Sequence, residues 1–275
     1  MWKRFRSKYK YSLILLRELV RADFKVKYQD SALGYLWSVL QPLFLFGILY
    51  AVFAVGLRIG GDIEHWPVAM LAGVVLWQFF ADVTKSGLKT IVNNGGLLRK
   101  IKLPRYIIVI AGTLSSFLTL LLNSLVVVVF AAASGVPVLA TLPLVILLVA
   151  EVFLFSLGLA FLLSTIYVKF RDIEHIWDIL VRGLFYASAI IYPISVIVNV
   201  GQYGGVIAQA LLMNPVAQAI QDVRHIAINP EIASLWTISG ENIVLYAIPV
   251  LLSISVFIFG AWHFHKKSPS FAEDV

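Results

Sequence analysis

The chain has 275 residues, of which 60% are hydrophobic and only 13% charged, and its formal net charge is +7. A soluble domain carries about a quarter charged residues, so this composition excludes an ordinary soluble globular protein. The chain contains no cysteine, which excludes disulfides and thiolate chemistry.

Residues 1–30 predict an amphipathic helix at the membrane surface. Apolar residues recur along it at steps of three and four, and basic residues lie between them. The apolar positions are Leu13, Leu16, Val20 and Phe24, and the basic positions are Arg17, Arg21, Lys25 and Lys27. Such a helix can lie in the headgroup layer, where lysine and arginine meet anionic lipids. The alternative is a solvated helix that packs on a partner protein.

Residues 31–275 predict an all-α membrane domain with six transmembrane helices. A helix needs about 20 apolar residues to cross the hydrocarbon core of a bilayer. The apolar runs that reach this length are approximately 33–57, 67–90, 106–134, 142–168, 176–197 and 243–264. Pro42 and Pro193 predict kinks or broken hydrogen bonding in the first and fifth of these spans.

The stretch 198–242 is less apolar and rich in glycine, asparagine and proline. It predicts short re-entrant or surface helices around Val206–Met213 and Val216–Ile226, on the extracellular side. Non-helical backbone at membrane depth is tolerated only where protein or water covers it. Whether this stretch dips into the membrane is left open by the sequence.

The basic residues predict that both chain ends lie in the cytosol. With that orientation the inner segments 1–32, 85–105, 169–182 and 265–275 hold 20 of the 22 lysines and arginines. Only Arg58 and Arg224 fall outside. Cytoplasmic loops of membrane proteins carry an excess of lysine and arginine. This rule explains the positive net charge better than nucleic-acid binding does.

No pattern for catalysis, nucleotide binding or metal binding is found in the sequence. The run Gly95–Lys100 has the wrong spacing for a phosphate-binding loop and no serine or threonine after the lysine. His263 and His265 are close in sequence, but residues two apart do not share a helical face. An enzyme with its own active site is therefore a poor fit, and we expect this chain to hold no catalytic residue, no metal and no cofactor.

Glu151 is an acid placed inside a predicted span, near the outer end of the fourth. An ionisable residue within the membrane is a functional hypothesis by default. A proton-coupled carrier would need several such groups at mid-depth, and the sequence offers few. We interpret Glu151 as a structural group that links helices, with transport chemistry as the alternative.

Two further features have more than one interpretation. Aromatic residues are dense in the first and fifth spans, where they are either interfacial anchors and packing groups or a surface that stacks against sugar rings. The loop after the second span, Asn93–Arg105, combines two glycines, a short apolar and basic run, and a proline. This cytosolic loop is either a plain connection or a rigid knob that docks a soluble partner.

Six short motifs, in the same order along the chain, resemble those of type-2 ABC exporter permeases. They are Leu33–Trp37 with Gln41-Pro42, Leu97–Pro104, Phe170–Ile173, Ile191–Pro193, Asn214-Pro215 and Phe271–Asp274. Together they cover the chain from about residue 12 to its end. The sequence looks most like the branch that exports cell-surface polysaccharides, such as O-antigen, teichoic acid, capsule or galactan chains.

The resemblance implies a protein of the bacterial cytoplasmic membrane that works with a separate motor. Two copies of the chain would form a pore above two ATPase subunits, and those subunits would bind ATP and Mg²⁺. The amphipathic helix and the loop after the second span would contact the ATPases. The docking residues of that loop are Leu97, Leu98, Arg99, Lys100 and Ile101.

The resemblance also implies a route for a polyprenyl-linked polysaccharide, from the inner leaflet to an outer gate in 198–225. Aromatic residues of the first and fifth spans would line it: Tyr35, Trp37, Phe44, Tyr50, Phe185, Tyr186 and Tyr192. Basic residues at the inner interface would attract the pyrophosphate of the lipid carrier. The candidates are Arg4, Arg6, Lys25 and Lys27.

Three other functions remain as alternatives. The first is an ABC exporter of a drug or hydrophobic lipid from the same superfamily. The second is a membrane-embedded glycosyltransferase or glycolipid-modifying enzyme, which the scarcity of acids and histidines disfavours. The third is a secondary carrier driven by a proton gradient.

Overall fold

The computed structural model describes residues 13–23, 25, 36–60, 63–96 and 104–271, and within these ranges the regular structure is helical throughout. A short helix over residues 13–23, α1, comes first. The helices that follow are α2 (Leu36–Leu49, continued by a π-helical turn, Tyr50–Gly56), α3 (Trp66–Asn93), α4 (Tyr106–Ala133), α5 (Val145–Lys169), α6 (Ile173–Ala187), α7 (Ser195–Val198), α8 (Gly204–Leu212), α9 (Pro215–Ala227), α10 (Leu235–Ile238) and α11 (Ile243–Lys267). Short 3₁₀ turns precede α5 and follow α11.

Five helices in the described ranges are long and apolar enough to cross a membrane. They are Leu36–Gly56, Trp66–Asn93, Tyr106–Ala133, Leu142–Lys169 and Ile243–Ser270. Each overlaps one of the six predicted spans, and the all-α, polytopic fold class is confirmed. The six-span count is not, because the fifth predicted span does not form one long helix.

That fifth span, predicted over 176–197, is helical only as far as Ala187. The 15 residues of α6 rise about 22 Å, less than the roughly 30 Å of a hydrocarbon core. The chain then turns, with Ala189 in the left-handed region at φ 51°, before α7 begins. Pro193 lacks the N–H that a continuing helix would donate to the carbonyl of Ala189. Whether this broken segment crosses the membrane stays a prediction.

The second span is the centre of the bundle. Helix α3 is 78% buried over its most apolar window, and it packs against α2, α4, α5, α6 and α9. By contrast, the span that begins with α2 is only 6% buried. Most of the surface of α2 is therefore left for lipid or for another protein.

Helices α5 and α11 approach each other through two glycines. A Cβ on Gly260 would lie 2.3 Å from the carbonyl oxygen of Gly158. A Cβ on Gly158 would lie 2.6 Å from the Cα of Phe257. Small residues at such points let helix backbones come close and pack tightly within a membrane. Glu151 lies in the same interface, where it accepts a hydrogen bond from Ser253 at 3.4 Å, as expected of a group that links helices.

Helices lie at both places predicted within 198–242, where α8 and α9 form. Helix α9 begins at the Asn214-Pro215 motif: the Asn214 side chain accepts a hydrogen bond from the Val216 amide at 3.1 Å, and proline takes the first helical position. Residues 215–224 are all buried, against α3, α5 and α11 among others. Neighbouring helices therefore cover residues 215–224 of α9, and whether this helix is re-entrant stays a prediction.

Candidate functional site

A cluster of charges ties the C-terminal end of α3 to the N-terminal end of α6, and these are the inner ends in the orientation predicted from the sequence. Lys85 lies 2.8 Å from Asp178, and Lys89 lies 2.5 Å from Glu174. Residues four apart share a helical face, so two lysines of α3 meet two acids of α6 in register. We call these four side chains the inner brace. A hydrogen bond from Lys89 lowers the pKa of the Glu174 carboxyl.

The inner brace also reaches the end of α5. The Tyr167 hydroxyl donates a hydrogen bond to Glu174 at 3.1 Å, and the Arg171 guanidinium lies 5.0 Å from the centre of the Tyr167 ring. Arg171 belongs to the Phe170–Ile173 motif, which forms the short connection between α5 and α6. This motif therefore sits beside the inner end of α3, which leads directly into the loop predicted to dock a partner.

The predicted docking residues Leu97, Leu98, Arg99, Lys100 and Ile101 lie outside the described residues. Both flanks of their loop are described. On one side is α3 with the inner brace, and on the other the Arg105 guanidinium donates a hydrogen bond to the carbonyl of Ser268. Phe271, which begins the predicted tail motif, is buried with its ring 5.3 Å from that of Phe264. The loop is thus bordered by two anchored segments.

A groove of about 970 Å³ separates the amphipathic helix α1 from α4. Leu114, Phe117 and Leu118 of α4 form its apolar wall. The facing residues of the N-terminal segment are Leu13, Leu16, Arg17, Glu18, Val20, Arg21 and Lys25. The site thus combines a basic edge with an apolar wall, a combination suited to a lipid that carries a phosphate headgroup.

Among the predicted headgroup residues only Lys25 is described, and it lines this groove. Arg4, Arg6 and Lys27 lie outside the described residues. The sequence prediction omitted Arg17 and Arg21 from this role, although both line the groove. The signal was that Arg17, Arg21 and Lys25 follow one another at steps of four residues, since such residues share one helical face.

The structure brings three predicted channel residues together. Tyr50, Phe185 and Tyr192 pack around one buried apolar cluster that includes Trp66 and Met70. The ring of Phe185 lies 5.4 Å from that of Tyr186, whose carbonyl accepts a hydrogen bond from the Tyr192 hydroxyl at 2.8 Å. The π-helical turn after α2 and the break after α6 therefore both contribute an aromatic side chain to the same cluster.

The other described channel residues face outward in this chain. Trp37, Phe44 and Tyr186 are 43%, 60% and 57% exposed, and the rings of Trp37 and Phe44 lie 6.5 Å apart. Tyr35 lies outside the described residues. The aromatic residues thus divide into an inward group around Trp66 and an outward group, and nothing in the described part of one chain encloses the outward group as a channel.

The sequence counted Arg224 only as lying outside the inner segments, and the structure shows that its side chain is fully buried. It lies on α9 and donates hydrogen bonds to main-chain carbonyls of the start of α3 and of the break after α6. Its neighbours Gln218 and Asp222 are buried too, with the Gln218 amide donating to the Asp222 carboxyl at 2.5 Å. The signal for this burial was the apolar spacing of Val216, Ile220 and Val223 along α9.

Comparison with known proteins matches the chain to a protein family. The model of the ABC-2 type transporter family matches residues 14–225. The chain is 29% identical over 265 residues to an O-antigen export system permease protein RfbA of Klebsiella pneumoniae, covering 96% of this chain and 95% of the relative. It is 26% identical over 246 residues to RfbA of Myxococcus xanthus, covering 87% and 91%. It is 24% identical over 266 residues to the polysialic acid transport protein KpsM of Escherichia coli, covering 92% and 93%.

Proposed function

Because the chain belongs to the ABC-2 type transporter family, we propose that it is the transmembrane subunit of an ATP-driven exporter of a cell-surface polysaccharide. As a member of this family it is a multi-pass protein of the inner membrane and pairs with ATP-binding subunits. The observation that carries the proposal is the similarity, over nearly the whole chain, to permeases named for O-antigen export and polysialic acid transport. ATP and Mg²⁺ bind to the partner subunits.

The arrangement of the inner face supports a coupling role for this chain. The predicted docking loop follows α3 directly, and α3 is the most buried of the five spans. Through the inner brace, a displacement of the loop's stem acts on α3 and α6 together. The basic residues of the inner segments support the cytosolic placement of both chain ends.

Two copies of the chain form the pore in this proposal. The support is the outward face of α2, which carries the exposed aromatic pair Trp37 and Phe44. Facing a second copy, these rings and Tyr186 would line a path between the protomers. Aromatic faces suit a sugar chain, because they stack against the apolar faces of sugar rings and let polar groups slide past.

The cargo enters on a polyprenyl lipid in this proposal. The groove between α1 and α4 supports this because its basic edge suits a pyrophosphate and its apolar wall suits a prenyl chain. Arg17, Arg21 and Lys25 would receive the pyrophosphate at the inner leaflet. Each basic residue near an anionic membrane surface also contributes about 1 kcal/mol to holding the segment at that surface.

The test is ATP-dependent export by the reconstituted complex of this chain and its ATPase. Vesicles receive a polyprenyl-pyrophosphate-linked oligosaccharide, and a glycosidase outside the vesicles reports the exported fraction. We expect export that requires ATP and falls at least tenfold for Trp37→Ala combined with Phe44→Ala, with assembly and ATP hydrolysis retained. Leu251→Ala, at an exposed position of α11, is the matched control and should export normally.

The same vesicles separate the alternatives. Export of a hydrophobic dye or a lipid without the glycan would favour a drug or lipid exporter. Glycan movement driven by a proton gradient without ATP would establish a secondary carrier. Chemical turnover of the glycolipid by the chain without its ATPase would establish an enzyme, and each of these results would refute the proposal.

A further inference from the structure

Arg224 carries a charged side chain inside the protein, where a cation is energetically unfavourable unless its contacts replace the water that it loses. Its side chain is 0% exposed, and no acid of the described residues forms an ion pair with it. Burial of a charged group is strongly unfavourable unless hydrogen bonds and paired charges replace water. The guanidinium stacks on Trp66, with its central carbon 5.0 Å from the centre of the ring. Its polar contacts are with main-chain and amide oxygens.

Those contacts join three segments of the chain. The Arg224 Nε donates to the carbonyl of Ala69, in the first turn of α3, at 2.9 Å. Its two terminal nitrogens donate to the carbonyls of Ala189 and Ile190, just after α6, at 2.8 and 2.5 Å. A planar guanidinium with five donors in fixed directions suits this task, and a lysine ammonium cannot match the geometry.

The carbonyls after α6 need these donors because the helix ends there. In a continuing helix the Ala189 carbonyl would accept from the amide of residue 193, which is Pro193 and has no N–H. Gln221, one turn before Arg224 on α9, assists by donating to the carbonyls of Ser188 and Ala189 at 3.3 and 3.2 Å. Buried carbonyls without partners are rare, so α9 completes the hydrogen bonding of the broken segment.

Helices α3 and α6 are therefore tied at both ends. At the inner end the inner brace joins them through side chains. At the outer end Arg224 joins the first turn of α3 to the residues that follow α6, and adds α9. Lys89 and Ala69 are 20 residues apart on α3, about 30 Å along its axis. Two ties so far apart prevent the helices from pivoting independently.

We propose that Arg224 is a positioning residue, the outer latch of a rigid unit formed by α3, α6 and α9, through which a displacement at the inner end of α3 moves the outer helix α9. The source of that displacement, the partner ATPase, rests on the proposed function. Without the latch, α3 still moves at its inner end, but α9 no longer follows.

The close approach of Gly73 supplies a second way to disturb the latch. A Cβ at Gly73 would lie 2.6 Å from a terminal nitrogen of Arg224, so alanine there displaces the guanidinium without removing it. Gly183→Ala is the matched control, because nothing lies within 4 Å of a Cβ at that helical position. Arg58 is the other outer arginine, and Arg58→Met is the control for loss of an outer charge.

The experiment compares amide hydrogen exchange in the complete complex with its ATPase, in lipid nanodiscs, with and without ATP under non-hydrolysing conditions. In the wild type we expect ATP to change exchange both at the inner end of α3 and in the outer segments 188–194 and 215–227. In Arg224→Met, the inner response should stay within twofold while the outer response is lost, and exchange over 188–194 should rise at least tenfold. Hydrolysis of ATP should continue within twofold, and glycan export per ATP should fall at least tenfold.

Other results overturn the latch. An outer response to ATP that persists in Arg224→Met, or that is absent from the wild type, would do so. So would parallel losses of the inner response, the outer response and hydrolysis, because they indicate a role in folding alone. If Arg224→Met does not assemble, Gly73→Ala carries the same expectations against Gly183→Ala. Because exchange needs no cargo, failure to export a glycan would refute the proposed function and leave the latch test intact.

Discussion

Replacing Gly260 by alanine should push α5 and α11 apart. The added Cβ would lie 2.3 Å from the carbonyl oxygen of Gly158, whereas ordinary contact begins near 3.4 Å. The difference, 3.4 minus 2.3, is about 1.1 Å of required displacement. The opposing atom belongs to the main chain of a helix, so no side-chain rotation can relieve the clash.

Two opposing effects determine the size of the change. Inserting a methyl group into a tightly packed interior costs about 1–3 kcal/mol. Alanine in place of glycine favours a helix by about 1 kcal/mol, which offsets part of that cost. Because the clash is with main-chain atoms, the upper part of that cost applies, about 2–3 kcal/mol. We therefore expect Gly260→Ala to lower the free energy of unfolding by about 1–2 kcal/mol, or roughly 5–30-fold in the ratio of folded to unfolded chains.

The measurement is reversible unfolding of the purified chain in bicelles, followed by tryptophan fluorescence. Gly183→Ala is the control, since the same gain in helix preference occurs there with nothing within 4 Å of the new Cβ. It should leave stability unchanged or raise it by about 0.5–1 kcal/mol. If Gly260→Ala proves as stable as Gly183→Ala, the α5–α11 contact is not the close backbone approach described here.

Three further predictions concern individual contacts. Asn214→Ala removes the side-chain cap of α9 and should lower the free energy of unfolding by about 0.5–2 kcal/mol in the same bicelle measurement, with an unchanged value arguing against the cap. A double-mutant cycle of Lys85→Met and Asp178→Asn should give a coupling energy of about 0.2–1 kcal/mol in that measurement, because the pair is partly exposed, and strictly additive effects would contradict the ion pair. Because the pKa of Glu174 is lowered in the folded chain, its pair with Lys89 should stabilise the fold fully above the ordinary carboxyl pKa and lose this effect as pH falls through the lowered value. Glu174→Gln should remove that part of the acid sensitivity in a thermal unfolding series from pH 7 to 3, and a series identical to the wild type would refute it.

The length of the apolar runs and the absence of charge within them predicted most of the long helices, because a bilayer requires both of a helix that crosses it. A span requires a long apolar run, and five such runs form helices in the described part of the chain. The fifth apolar run does not form one long helix, because the length of an apolar run does not reveal a missing N–H. Pro193 suggested broken hydrogen bonding, but the length of the apolar run outweighed it, and α6 ends six residues before the proline.

The contacts between helices were harder to predict from the sequence. The inner brace is formed by two lysines on α3 and two acids on α6, and each pair is spaced by four residues. The spacing within one helix does not reveal which other helix it contacts. The burial of Arg224 was not predicted for a related reason, because only the packing of α9 against its neighbours shows that this side chain is covered. Trp37 and Phe44 lie on α2, and Phe185 and Tyr186 lie on α6. The division of the aromatic residues into inward and outward groups follows from helix rotation, which composition does not specify.

The acceptors of Arg224 are main-chain oxygens, and this affects how the protein can diverge. Every residue supplies a carbonyl, so positions 69, 189 and 190 can change side chain without loss of the hydrogen bonds to the guanidinium. A change of side chain at one of these positions therefore requires no matching change at position 224. Methods that infer contacts from correlated substitutions will not detect the contacts of Arg224 with these positions. The constraint falls instead on Gly73, where any added side chain would occupy the space of the guanidinium.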